Sequence, residues 1–184
     1  MLTREPGGTP FGERIRDLVL HARDVELTPE TQALLFFSAR AQHTHDVIRP
    51  ALAAGKIVVA DRFFDSTLAY QGYGHGADLD GLRALTRFAV GATVPDRTFL
   101  IDAPVDVVLG RLARRHGEWD RFHGTDAAFY QRVRDGYLRL AAAEPARFVV
   151  IDGDRSEDAI AAEIRREVDA LLAASPVQGR GPRR

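Results

Sequence analysis

The sequence has no cysteine. That excludes disulfides, thiolate nucleophiles and cysteine-ligated zinc, and it suits a reducing compartment. Lysine is nearly absent as well: Lys56 is the only one, so the other basic side chains are arginine or histidine. A genome rich in G and C gives such a bias without any function. There is no net charge to speak of, the formal value being -1 at pH 7, so no whole-chain field draws the protein to nucleic acid or to a membrane surface. No apolar run approaches the length of a membrane span. The N-terminus carries Arg4 and Glu5 where a signal peptide would have an apolar stretch. The expectation is a soluble, cytoplasmic protein with no nucleic-acid or membrane partner.

What is present suits one domain with a real core: 184 residues, 45% of them hydrophobic. Three short runs, 56–61 (KIVVAD), 97–102 (RTFLID) and 147–152 (RFVVID), are apolar, β-branched and end in aspartate. Runs of this kind suggest strands covered on both faces, hence a parallel sheet. Helical stretches alternate with them. Thr9-Pro10 opens a helix to about His21, and Thr28-Pro29 opens a longer one toward Ala54, closed by Gly55, with a kink expected at Pro50. Four more begin at Asp78, Pro104, Thr125 and Ser156. The alternation predicts a doubly wound α/β fold over 1–174, followed by a disordered tail at 175–184.

In such sheets ligands sit beyond the carboxyl ends of the strands, which is where Asp61-Arg62 falls. Arginine offers a planar fork that matches phosphate oxygens. The dipeptide alone is equally the signature of a structural ion pair at a strand end, and that blander reading is favoured for it in isolation. Arg4 precedes Pro6-Gly7-Gly8 and the helix start at Thr9-Pro10. A turn there exposes backbone N–H groups to an anion, or is simply a strand-to-helix turn. Phe36 and Arg40 lie four apart on one helix face, where a ring and a guanidinium can hold a nucleobase; Leu34, Leu35 and Phe37 beside them equally suit core packing. Arg111, Arg114, Arg115 and Arg121 crowd a helix end and the loop after it, with Gly117 and Gly124 giving the loop freedom. Such a segment can close over polyphosphate, or be a solvated basic helix end.

The segments TREPGG, LLFFSARAQ, VVADRFFDSTLAYQG, the arginine-rich stretch ending in WDR, and VVIDGD occur in this order. Together they closely resemble bacterial thymidylate kinases, from about Thr3 to Leu172. The resemblance implies a P-loop nucleoside monophosphate kinase fold and transfer of a phosphoryl group from ATP to dTMP with Mg2+. It implies that Arg4 clamps the dTMP phosphate, that Phe36 stacks on thymine, and that Arg40 reaches the base edge. Arg62 would contact the acceptor phosphate and Asp61 would lie near the magnesium. Ser66, Thr67 and Gln71 would help read the base, and Tyr70 would pack against the deoxyribose. Arg114 and Arg121 would be catalytic residues of a lid at about 111–124, with Arg114 and Arg115 on the ATP side. The family often has glutamate two residues after the Asp-Arg of this lid; here His123 stands there. Relatives of this kind are commonly homodimers.

The family's phosphate loop, G-x-x-x-x-G-K-[ST], does not occur in these residues. The only lysine follows Gly55, but Ile57 comes next and Pro50 stands where the first glycine is required. A strand, loop and helix of about 35–40 residues would precede the TREPGG segment in the family pattern. Other readings are a dTMP-binding remnant, a kinase for another pyrimidine monophosphate, and an interaction protein using the basic tail. Without that unit the strand at 56–61 is expected to lack a partner on one side, next to a slot beside the strand at 97–102. Unpaired buried backbone groups cost about 1–3 kcal/mol each. The expectation is that these residues alone fold poorly and phosphorylate dTMP little or not at all. A cooperative thermal melt together with dTMP turnover at ordinary kinase rates would contradict it.

Overall fold

The protein is described here by a computed structural model covering residues 1–21, 24–114 and 126–174. The first strand, β1 (Leu2–Arg4), runs through the TREPGG segment into α1 (Pro10–Leu20). Thr9 caps α1 by accepting the Gly12 N–H, with Pro10 at the first helical position. Next comes α2 (Pro29–His43), capped by Thr28. It continues without a break through a π-helical turn, Thr44–Ile48, into α3 (Arg49–Ala53). Where a kink was expected at Pro50 there is a widened turn just before the proline, which is seated at the start of α3 where its missing N–H is tolerated. Gly55, at φ +73°, ends the run as expected.

After β2 (Val59–Asp61) the chain forms a helical turn, α4 (Phe64–Thr67), and a second π-helical stretch, Leu68–Gly74. Neither was legible in the sequence, because four residues and an i→i+5 turn carry no apolar periodicity of their own. Then follow α5 (Leu79–Val90), β3 (Thr98–Asp102), α6 (Val105–Arg114), α7 (Ala127–Ala143), β4 (Phe148–Asp152) and α8 (Glu157–Ala174). The four predicted helix starts are correct to within two residues. The cap of α7 is Asp126, whose carboxylate accepts the Phe129 N–H. The tail at 175–184 lies outside the described residues.

The strands are parallel, as predicted, but they form two pairs. β1 lies on β2, with Leu2 opposite Val59 and Arg4 opposite Asp61. β3 lies on β4, with Thr98 opposite Phe148 and Asp102 opposite Asp152. Among the described residues β2 and β3 each have a strand on one side only, as the expected slot requires. The expectation that the strands are covered on both faces is not met. Leu2, Val59, Ile101 and Val150 are all about half exposed or more. The face of the first pair carrying Leu2 and Val59 is exposed, whereas in the second pair Phe148 and Ile151, on opposite faces, are both buried and Ile101 and Val150, also on opposite faces, are half exposed.

The core gathers residues from helices, turns and strands alike. Phe37, Phe63, Phe64, Leu68, Leu82, Val90, Leu140 and Phe148 form its largest cluster. Between α7 and the turn Leu68–Gly74 the backbones press together. A Cβ on Gly136 would lie 2.6 Å from the Tyr73 side chain, and one on Gly74 would lie 2.8 Å from Phe129 and Val133. Both positions need glycine for lack of room. The two strand pairs are joined by a buried ion pair. Arg147, just before β4, donates to both Asp65 carboxylate oxygens at 2.7 and 2.8 Å, and also to Thr98 Oγ1 and the Glu144 carboxylate. Its guanidinium lies 5.2 Å from the Phe64 ring centroid and 4.4 Å from that of Phe148.

Removing one partner of a buried ion pair leaves the other charge without compensation, at a cost of about 3–5 kcal/mol. Asp65→Ala should therefore lower the unfolding free energy in urea by about that much, or leave the chain unfolded outright. The exposed Arg4–Glu13 pair, at 3.0 Å, is worth at most about 1 kcal/mol, and Glu13→Ala should shift the urea midpoint little. Equal effects of the two substitutions would contradict this ranking.

Candidate active site

The carboxyl ends of β1 and β2 open into a cavity of about 480 Å³ lined by Leu2, Thr3, Arg4, Gly8, Glu13, Val47 and Asp61. Arg4 and Asp61 are thus brought together here, as register partners at the end of their strands. Asp61 is exposed. The Arg4 guanidinium donates to Glu13 Oε2 at 3.0 Å, and the Gly8 N–H donates to Glu13 Oε1 at 3.0 Å. The Pro6-Gly7-Gly8 turn does present an N–H to an anion, and in this structure the anion is the Glu13 carboxylate. Burial raises the Glu13 pKa, but these two hydrogen bonds and the nearby arginines outweigh it and hold it below the usual carboxylate range.

Arg62 follows with φ at +65°, the only non-glycine residue in left-handed backbone among the described residues. A conformation of this kind costs free energy and marks places where geometry is imposed by function or packing. The turn aims the guanidinium over the Tyr70 ring, 4.8 Å from its centroid, with a 3.3 Å hydrogen bond to the Tyr70 hydroxyl. Tyr70 is braced edge-on by Phe129 and Tyr137 of α7. Ser66 accepts from the Tyr137 hydroxyl at 2.7 Å. Burial pushes the Tyr137 phenol up to about 12, against the pull of the neighbouring Arg62 charge.

Arg40 comes from the middle of α2 and is buried, 4% exposed. Its Nε donates to Glu5 Oε2 at 2.7 Å, and its Nη2 to Thr67 Oγ1 at 3.1 Å and to the Phe63 carbonyl at 3.4 Å. Phe37 and Phe63 lie against its plane. Its Nη1 has no hydrogen-bond partner among the described residues. Phe36, one turn earlier, is half-buried and packs on the Ile15, Val19, Leu20 and Ala39 cluster beneath α1. Thr67 is buried with its hydroxyl on Arg40, and Gln71 is buried with its amide donating to Gln32 Oε1 at 3.3 Å. Arg114, at the end of α6, is exposed and donates to the Gly110 carbonyl. Arg115 and Arg121 lie outside the described residues.

The family model described as thymidylate kinase matches residues 1–164. The chain belongs to the thymidylate kinase family. It is 46% identical over 172 residues to a thymidylate kinase of Pseudomonas putida, covering 94% of this chain and 80% of that protein. It is 44% identical over 184 residues to one from Desulforudis audaxviator, covering 99% of this chain and 81% of that protein. The crystal structure of thymidylate kinase from Ehrlichia chaffeensis superposes with a TM-score of 0.72 at 34% identity, covering 92% of this chain and 79% of that one. The fold is thus that of the P-loop nucleoside monophosphate kinases. As a thymidylate kinase family member the protein is a phosphotransferase, an enzyme of nucleotide synthesis. No helix among the described residues is long and apolar enough to cross a membrane.

Three residues at this site were not singled out from the sequence. Glu5 stands within the TREPGG segment and His43 directly after LLFFSARAQ, but nothing in their spacing says that they meet. Tyr137 lies 71 positions from Ser66, and only the fold joins them. The raised phenol gives a spectroscopic test. Of the four tyrosines, one should ionise near pH 12 in a 295 nm titration, and Tyr137→Phe should remove that step. Folding keeps this phenol neutral, so its contribution to stability is complete below about pH 10 and fades as pH rises toward 12. Four tyrosines ionising together near pH 10 would contradict the assignment.

Proposed function

We propose that the protein transfers the γ-phosphoryl group of ATP to dTMP, giving dTDP, and that the site described above holds the acceptor nucleotide. One observation carries this reading. Arg40 is a buried cation whose Nη1, itself closed to solvent, has no partner among the described residues. A buried donor left unpaired costs free energy that a ligand acceptor can restore. A pyrimidine carbonyl is such an acceptor, and it binds in the plane of the guanidinium fork. Phe36, half-buried on the same helix, supplies the stacking face. Ser66 and Thr67 from α4 and Gln71 from the π-helical stretch after it shape the base pocket, and Tyr70 bounds the sugar.

The phosphate end of dTMP is assigned to Arg4 and Arg62. Arg4 is freed for it when an incoming phosphate displaces Glu13. Arg62 is already desolvated on one face by the Tyr70 ring, which strengthens its attraction for an oxyanion. Asp61 is the candidate magnesium ligand. The described residues contain no cluster of three metal-binding side chains, but magnesium is commonly held by one or two carboxylates, water and substrate phosphates. Bound there, it would neutralise charge on the transferring group. ATP's phosphates find no glycine-rich cradle among the described residues, so the side chains in hand act on the acceptor. Arg114, with Arg115 and Arg121, is assigned to the donor side as part of a lid. The proposal includes a cytoplasmic setting and a homodimer, for which the exposed Phe88 of α5 and Leu34 of α2 are apolar side chains to cover.

A calorimetric panel of nucleoside monophosphates tests the assignment. dTMP should bind at least about tenfold tighter than dCMP or dGMP, the value of one charged hydrogen bond and a stacked ring. Arg40→Ala should erase the preference over dCMP. Equal affinity for dTMP and dCMP in the unaltered protein would count against it.

A further inference from the structure

Two buried titratable side chains beneath the site have no task in the chemistry above. Glu5 and His43 are 6% and 0% exposed. The Glu5 carboxylate accepts from Arg40 Nε at 2.7 Å on one oxygen and lies 3.0 Å from His43 Nδ1 on the other. A carboxylate facing a guanidinium is an acceptor only, so the His43 proton is on Nδ1. His43 Nε2 in turn lies 2.7 Å from Thr3 Oγ1 on β1. The ring also lies under the glycine turn: a Cβ on Gly8 would meet its Cδ2 and Nε2 at 2.6 Å. A chain of four side chains therefore runs Thr3, His43, Glu5, Arg40, from the strand beside the phosphate cavity to the guanidinium assigned to the base.

We infer that Glu5 and His43 are positioning residues that set the base specificity of the site by fixing which nitrogen of Arg40 is free. A guanidinium can rotate about its last bonds and offer any of its five N–H groups. Here Nε is held by Glu5, and both protons of Nη2 have acceptors in Thr67 Oγ1 and the Phe63 carbonyl. Only Nη1 is left. Glu5 can do this only if its own carboxylate cannot turn, and His43 occupies the second oxygen. The argument rests on the acceptor-site reading but adds to it. It assigns discrimination between a carbonyl and an amino group on the pyrimidine edge to two residues that never touch the nucleotide.

The test is the ratio of dTMP to dCMP affinity in the full chain, with inorganic phosphate as a base-free control. Glu5→Gln should cut the ratio about tenfold, the loss of one charge-assisted hydrogen bond, and leave phosphate binding unchanged. His43→Gln, which keeps a donor toward Glu5, should retain more of the ratio than His43→Leu. A purely structural role would weaken all three ligands alike and leave the ratio intact, which would overturn the inference. Nitrogen-15 spectra of the arginine side chains decide the point without a ligand. The Arg40 Nε–H should be slowly exchanging in the unaltered protein, fast in Glu5→Gln and intermediate in His43→Leu. An Nε–H signal indifferent to both substitutions would also overturn it. Should the unaltered protein bind no dTMP while these signals respond as stated, the acceptor assignment fails and the positioning of Arg40 stands.

Discussion

Asp65 and Arg147 tie the two strand pairs to one another within the apolar core they share. No strand among the described residues bridges β2 and β3, so backbone pairing does not join them. The doubly hydrogen-bonded carboxylate and guanidinium do, together with the shared core, and the Phe64 and Phe148 rings lie close to the Arg147 guanidinium. Buried ion pairs seldom stabilise more than apolar packing of the same volume. Their value is directional: this pair fixes α4 against the start of β4. That fixes the turn holding Arg62, and with it the relation between the end of β2 and the α7 aromatics that brace Tyr70.

The same physics recurs around Arg40. A guanidinium carried into the core must be paired and hydrogen-bonded, and Glu5, Thr67 and Phe63 meet that need for all but one nitrogen. The site is therefore stiff where it meets the base and yielding where it meets the phosphate. Arg4 and Glu13 form an exposed pair, weak enough to part. Rigid donors suit discrimination between bases, because the wrong base then leaves a buried donor unsatisfied. A displaceable acid suits a phosphate that arrives and leaves with each turnover.

The strand ends at 61, 102 and 152, the helix caps at Thr9, Thr28 and Asp78, and the order of the motifs were all legible in the sequence. They depend on local rules: β-branched runs, cap residues followed by proline, glycine at helix ends. Asp61-Arg62, Arg4 and Arg40 were singled out by motif order, which supplied what spacing did not. The split sheet followed from the segment order but not the exposure of Val59 and Ile101, since an apolar run says what a residue suits and not what covers it. The π-helical turn at 68–74 and the meetings of Glu5 with His43, Ser66 with Tyr137 and Asp65 with Arg147 are long-range. No local pattern encodes them, and the tertiary fold alone brings them together.

The central claim is that this chain carries the dTMP site of a thymidylate kinase with Arg40 Nη1 as the reader of the base. A crystal structure with dTMP bound tests it most directly. The account predicts a thymine carbonyl within about 3 Å of Arg40 Nη1, an ordinary hydrogen-bond distance, with Arg4 turned from Glu13 to the phosphate alongside Arg62. A nucleotide bound elsewhere, or bound with Arg40 Nη1 still unpaired and Arg4 still on Glu13, would contradict it.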